Sequence, residues 1–168
     1  PARGRLLAER TVMTADVVKV GAGDLGWLYP GRALEDVAAQ WLSFGPELIV
    51  ISCGGDGAMG FRATRTVLHR PAYPAPVVDT IGAGDAFTAA LVGGLYQLGQ
   101  ANASLQALSG EDLAELIDTC VVAAGLVSGR AGADLPTAAE LARAQNLRFG
   151  ARLERPFAAP ISGRRTTS

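Results

Sequence analysis

The stretch Val77-Val78-Asp79-Thr80-Ile81-Gly82-Ala83-Gly84-Asp85-Ala86-Phe87 gathers small residues between two apolar runs and ends them on a carboxylate. An apolar strand end that runs into Gly-Ala-Gly-Asp, with an apolar helix starting at once, leaves backbone N–H groups unhindered at a helix N-terminus. That end carries roughly half a positive charge, so the turn suits an anion. Asp85 is then the odd member, because a carboxylate repels a phosphate unless it has a task. One task is to accept the proton of a hydroxyl that attacks a phosphoryl group. An ordinary Asp, with a pKa of about 3.9, is a weak base. A loose phosphoryl-transfer transition state nevertheless asks for little deprotonation until late. The plainer reading makes Asp85 an N-cap acid. The residues alone leave the two about equal.

A second glycine-rich turn follows a strand-like run. Gly21-Ala22-Gly23-Asp24-Leu25-Gly26 spells G-x-G-x-x-G, nominally a dinucleotide-binding turn. A working version needs a helix that starts inside the motif and packs closely on the sheet. Pro30-Gly31 is expected to end any helix there after about one turn, and the nearest acid for a ribose is Asp56. This reading ranks below phosphoryl transfer. No G-x-x-x-x-G-K-[ST] loop occurs, and Lys19, the only lysine, is misplaced for one. His69, the only histidine, excludes a multi-histidine metal site and reads as structural. Cys53 and Cys120 sit in apolar contexts and read as reduced core thiols.

Elements must position these turns. The 168 residues are 49% hydrophobic and 18% charged, with 21 glycines and few aromatics, which fits one α/β unit with tight strand-to-helix turns. Residues 5–15 carry a short helical pattern, and Ala15–Val20 reads as a buried strand stopped by Gly21. Leu34, Val37, Ala38, Trp41 and Leu42 share one face of a helix over 33–44. Leu48–Ser52 is a continuous apolar run, as in a strand covered on both faces. Pieces at 58–62 and 65–70 read as a hairpin. Helices are predicted over 85–98 and 111–128, and a last one from Pro136-Thr137. Residues 150–168 lose all period and read as a flexible tail.

Asp79-Thr80-x-Gly82-Ala83-Gly84-Asp85 resembles the D-T-x-G-A-G-D signature of the ribokinase/PfkB carbohydrate kinases. The resemblance implies that Gly82, Ala83 and Gly84 form the anion hole for the transferred phosphate and that Asp85 is the catalytic base. It places Asp79 where relatives often have a monovalent-cation site nearby, such as one for K+. Ser52-Cys53-Gly54-Gly55-Asp56-Gly57 stands where the family has a strand ending in T-x-G-x-x-G. This implies that Ser52, Gly54 and Gly57, together with Thr80, approach the nucleotide. Ala123-Ala124 through Arg130-Ala131-Gly132-Ala133 resembles the late helix and loop at the adenine, which brings in Ala124 and Gly132. Pro136 and Glu140 fit the closing P-x-x-x-E helix start, and residues 15–30 are similar to fructokinase-like members. The family has Asn or Ser and, three positions later, an acid where this chain has Gly21 and Asp24, so Asp24 alone is the Mg2+ candidate.

The implied fold is an α/β, ribokinase-like, mostly parallel sheet flanked by helices, with the N-terminal sugar-binding half and β lid absent. Residues 1–149 would be a partial kinase core and 150–168 the tail. The implied function is ATP-dependent phosphorylation of a sugar hydroxyl, of fructokinase type, with ATP and Mg2+. A second reading is a truncated or degenerate relative that acts as a non-catalytic binding or interaction module, since Gly21 offers no side chain. A sheet cut through its middle is expected to pair or self-associate. The formal net charge of −1 argues against a nucleic-acid partner. No segment reaches the length of a membrane span, and the cytoplasm is the expected compartment.

Overall fold

The computed structural model describes residues 2–62, 67–99, 105 and 108–149. The segment 150–168, read above as a tail, and residues 65 and 66 of the second hairpin piece lie outside the described residues.

Helix α1 (Ala2–Val12) leads into β1 (Val17–Gly21), and α2 (Ala22–Leu28) starts where that strand stops. After the Pro30-Gly31 turn come α3 (Leu34–Leu42) and β2 (Leu48–Ser52). A 3-10 turn at Gly54–Asp56 joins β2 to β3 (Ala58–Arg62), which pairs with β4 (Val67–Arg70). Residues 71–80 then cross to α4 (Ala83–Gln97), followed by α5 (Gly110–Ser128) and α6 (Ala138–Phe149). The three late helices begin within two residues of where the sequence pattern puts them.

The described strands form one sheet in the order β1-β2-β3-β4. β1 and β2 are parallel, with Val17 opposite Leu48 and Gly21 opposite Ser52. The β2–β3 and β3–β4 pairs are antiparallel. Among the described strands the sheet is therefore mixed, rather than mostly parallel. The reason is connection length. Parallel strands need a crossover of a dozen or more residues, which α2 and α3 supply, whereas a short turn permits only antiparallel return.

β2 is buried on both faces, as its unbroken apolar run predicts. Leu48 and Val50 pack into one cluster with Phe87, Leu91, Leu113 and Ile117 of α4 and α5. Ile49 and Ile51 point the other way, into Leu25, Val37 and Trp41 of α2 and α3. The side-chain period of two thus makes a three-layer molecule out of five residues. Each fully buried aliphatic side chain contributes about 1.5–3 kcal/mol.

Two devices hold the site-bearing layer. Ser109 and Asp112 form a reciprocal capping box at the start of α5: Ser109 Oγ accepts from the Asp112 amide at 3.0 Å, and the Asp112 carboxylate accepts from the Ser109 amide at 3.2 Å. The buried Asp118 carboxylate accepts a two-pronged ion pair from Arg70, with Nε to Oδ1 at 2.6 Å, which ties α5 to β4. In the opposite layer, α2 ends on a polar anchor. Trp41 Nε1 donates to the Tyr29 hydroxyl at 2.8 Å, which donates to Glu9 at 2.6 Å.

Candidate active site

The turn that opens α4 is built by its neighbours. The preceding segment contains Pro71, Pro74 and Pro76, which lack N–H groups and keep it out of any ladder. Val77 and Val78 are accordingly not a strand end, and they are 72% and 63% exposed. What anchors the segment is the last carbonyl of α5. Helix C-termini leave their carbonyls without intrahelical partners, and that of Ser128 accepts from the amides of Val78 at 2.8 Å and Asp79 at 3.2 Å.

Asp79 then fastens two loops together. Its Oδ1 accepts from the Ile81 amide and its Oδ2 from the Gly132 amide, both at 3.0 Å. These backbone hydrogen bonds hold its carboxyl below the ordinary carboxylate value. Gly82 is the helix cap at φ 82°, in the left-handed region that glycine adopts without strain. A Cβ there would also stand 2.9 Å from the Ala133 Cβ. The 130–134 loop is further held by Arg130, which pairs with Asp134 at 3.1 Å and with Glu140 at 2.6 Å.

Gly82 holds the cap, so Asp85 is not an N-cap residue. It lies at the third position of α4, exposed, and among the described residues no hydrogen bond or ion pair engages its carboxylate. The Ala83 amide bonds the Thr80 carbonyl at 3.2 Å. The amides of Gly84 and Asp85 find no backbone carbonyl among the described residues, as expected for a first helical turn.

A cleft of about 330 Å³ opens beside this turn. Ser52, Gly54 and Gly57 line it from the β2–β3 turn, Thr80, Ala83 and Gly84 from the turn that opens α4, and Ala124 from α5. Seven of the residues singled out in the sequence therefore meet around one space. Gly57 belongs there for a backbone reason: its φ is 93°, and a Cβ would fall 2.0 Å from the Arg70 carbonyl. Gly82, Asp85 and Gly132 adjoin the lining without forming it. Asp24 and Asp79 do not line it either.

The cleft also contains residues that sequence reasoning missed. Tyr73 and Phe87 supply aromatic surface, and Val121, Gly125 and Ser128 extend the wall that Ala124 begins on α5. The spacing 121, 124, 125, 128 is one helical face, a signal present in the sequence but indistinguishable there from core packing. Lys19 was set aside because no phosphate-loop pattern surrounds it. In the fold its ammonium lies 5.6 Å from the centre of the Phe87 ring, beside the first turn of α4. The two cysteines are free, Cys120 in the core and Cys53 half-buried. His69, on β4, places Nε2 2.9 Å from the Asp56 carbonyl.

The other glycine-rich turn differs from expectation in one respect. A helix does start inside the motif, since α2 begins at Ala22 and runs seven residues. The dinucleotide reading fails on packing instead. The last glycine of such a motif serves close helix–strand approach, yet a Cβ on Gly26 or on Gly23 would meet nothing within 4 Å. Asp24 folds back, its Oδ2 3.0 Å from where a Gly21 Cβ would stand. Gly21 and Ser52 are register partners, so Asp24 stands near the sheet edge that Ser52 extends into the cleft. No group of three His, Cys, Asp or Glu that could hold a metal exists among the described residues. Among them, too, no helix is long and apolar enough to cross a membrane.

Residues 3–140 match the model of the pfkB family carbohydrate kinases, and the chain belongs to that family. It is 38% identical over 87 residues to a fructokinase of Rhizobium leguminosarum bv. trifolii, which covers 52% of this chain and 26% of that protein. Aminoimidazole riboside kinase of Salmonella enterica, solved with aminoimidazole riboside and an ATP analog, superposes with a TM-score of 0.69 at 31% identity. That match covers 83% of this chain and 45% of the solved one. A double-mutant fructokinase of Vibrio cholerae, bound to fructose, ADP and potassium ion, gives 0.63 at 25% identity, covering 77% and 39%. The chain thus spans less than half the length of these relatives, and its fold is a ribokinase-like α/β fold.

Proposed function

We propose that residues 1–149 form the nucleotide-binding and phosphoryl-transfer part of an ATP-dependent sugar kinase, corresponding to the C-terminal half of its relatives. The observation that carries this reading is the single cleft shared by the 52–57 turn, the 80–84 turn and α5, with Asp85 next in sequence to cleft-lining Gly84. Apolar walls with a few backbone polar groups suit a flat base, and the α4 N-terminus suits its phosphates. Asp85 takes the proton of a sugar hydroxyl as that oxygen attacks the terminal phosphorus of ATP in line. The new P–O bond forms as the bond to the ADP oxygen breaks, and the amides of the 82–84 turn stabilise the charge that develops.

Mg2+ is commonly held by one or two carboxylates plus phosphate oxygens and water, a donor set that a lone Asp24 fits and that needs no protein-only cage. Bound there, the ion would neutralise phosphate charge. Asp79 engages an amide with each oxygen and each oxygen keeps a further lone pair, which is compatible with a K+ position alongside. The acceptor is a keto-sugar or a riboside, the classes named for the relatives.

Calorimetric titration of the chain with ATP and with NAD, each with Mg2+, tests the reading. The expected result is ATP binding that Gly84→Val weakens. NAD binding without ATP binding would overturn the kinase reading in favour of the 21–26 turn. ATP binding without phosphoryl transfer to any trial sugar, in protein carrying the complete kinase length, would favour the non-catalytic binding module.

A further inference from the structure

The crossing from β4 to α4 supplies one wall of the cleft through Ala72, Tyr73, Ala75 and Val77. Its three prolines keep it out of any ladder, so groups from other elements must fix where that wall stands. At the far end the Ser128 carbonyl holds the amides of Val78 and Asp79. At the near end stand Arg70, paired with Asp118 on α5, and Arg148, in the last turn of α6.

Arg148 engages the crossing twice. Its Nη2 donates to the Pro71 carbonyl at 2.7 Å. Its guanidinium carbon lies 5.8 Å from the centre of the Tyr73 ring, within cation–π range. Tyr73 in turn rests directly on α5: a Cβ on Gly125 would stand 2.6 Å from the Tyr73 Cβ and 3.0 Å from its Cδ1. The ring therefore takes its place from a bare patch of α5 and from a cation on α6. A basic residue at a helix C-terminus is ordinarily explained by the helix dipole alone. That explanation requires no contact with a residue 77 positions away in sequence, nor with a ring that lines the cleft. The end of α6 is itself seated on α5, where the buried Gln145 amide donates to Thr119 Oγ1. Gln145 lies three residues before Arg148 and so on the same helical face.

We propose that Arg148 is a positioning residue for the nucleotide: it sets Tyr73 against α5 and thereby fixes the cleft wall on which the flat base rests. This rests on the nucleotide reading above and deepens it. Helix α6 lines no part of the cleft among the described residues, yet through Arg148 it governs the shape of the cleft.

The test is a double-mutant cycle in ATP affinity, measured by calorimetry with Mg2+ on the wild-type chain, Arg148→Ala, Tyr73→Ala and the double variant. Each single change is expected to weaken ATP binding about fivefold or more. The double variant is expected to bind within about twofold of Tyr73→Ala, since Arg148 then has no ring to place. Arg148→Met, which keeps the stem and loses the cation, is expected to match Arg148→Ala. Unchanged ATP affinity in Arg148→Ala or Arg148→Met overturns the assignment and leaves the nucleotide site standing. Losses that multiply in the double variant also overturn it, because they mean that Arg148 acts by a route other than Tyr73. A wild-type chain that does not bind ATP removes both proposals together. Should the Arg148 variants fail to fold, hydrogen exchange of the wild type decides. ATP is expected to slow exchange at the Tyr73 amide and in the last turn of α6. Slowing at α5 and the 82–85 turn, with no change in the last turn of α6, overturns the assignment.

Discussion

Two glycine-rich turns open helices at the ends of elements in this molecule, and they behave differently. Gly21–Gly26 follows β1 and opens α2; Gly82–Asp85 follows an irregular, proline-bearing crossing and opens α4. By spelling alone the first is the fuller glycine motif. Yet its later glycines meet nothing, and its acid folds back on Gly21. The second has Ala133 against Gly82, Asp79 bound to the Gly132 amide, the α5 carbonyl of Ser128 behind it and Lys19 in front. Only the second turn opens on the cleft, because tertiary neighbours converge there. Spacing alone does not accomplish that.

The largest effect that separates the turns is catalytic. With fructose or aminoimidazole riboside as trial acceptor, Asp85→Asn is expected to lower the rate of phosphoryl transfer by roughly 10²–10⁴-fold, with ATP affinity nearly unchanged. Asp24→Asn should leave the rate at saturating Mg2+ within about tenfold and instead raise the Mg2+ concentration required. A coupled ADP-release assay over a Mg2+ series reads both. Equal losses in the two variants would erase the distinction drawn between the turns.

Backbone substitutions give the next contrast, in stability. Gly82→Ala must adopt a left-handed φ of 82° and press on Ala133, at a cost of about 1–3 kcal/mol. Gly26→Ala lies inside α2 with open space around it and should stabilise by up to about 1 kcal/mol. Urea unfolding of the two variants measures opposite signs if the comparison holds. Ser109→Ala, which removes one half of the α5 capping box, should cost about 1 kcal/mol in the same experiment.

The smallest expected effect concerns pH. The Asp79 carboxyl titrates below its unfolded value of 3.8, because the Ile81 and Gly132 amides favour its charged form. Between those two pH values the folded state binds fewer protons than the unfolded one. The contribution of Asp79 is therefore fully present above 3.8 and is lost as pH falls through the lower folded value. Glu140, bound by Thr137 and Arg130, shifts in the same direction. Melting curves taken from about pH 5 downward to about pH 2, an interval that reaches below the ordinary carboxylate value, should show Asp79→Asn flattening the acid limb relative to wild type.

Much of the site was legible before any coordinates. The 79–85 signature marks the turn because glycines, a helix start and a stranded carboxylate are local features, written in consecutive residues. The 52–57 turn and Ala124 were implied by the resemblance to the family. The apolar run of β2 announced a strand buried on both faces. Two local expectations nevertheless failed. Val77-Val78 looked like a strand end by apolar character, but three prolines nearby deny that segment a ladder. α2 was discounted because Pro30-Gly31 follows it, although the helix needs only seven residues and is held by the Tyr29–Trp41–Glu9 anchor contributed by distant elements.

By itself, then, the sequence determined the resemblance to the family, the helix-opening turns, the fully buried strand and part of the cleft lining, all properties carried by short windows. Only the tertiary structure decided which glycine turn opens on the cleft, where Asp79 spends its two oxygens and that Lys19 lies beside Phe87. Those depend on groups 53 residues apart, in the case of Asp79 and Gly132, being brought within hydrogen-bond distance. No periodicity in the chain encodes such a meeting, because it arises from how two layers pack on one sheet.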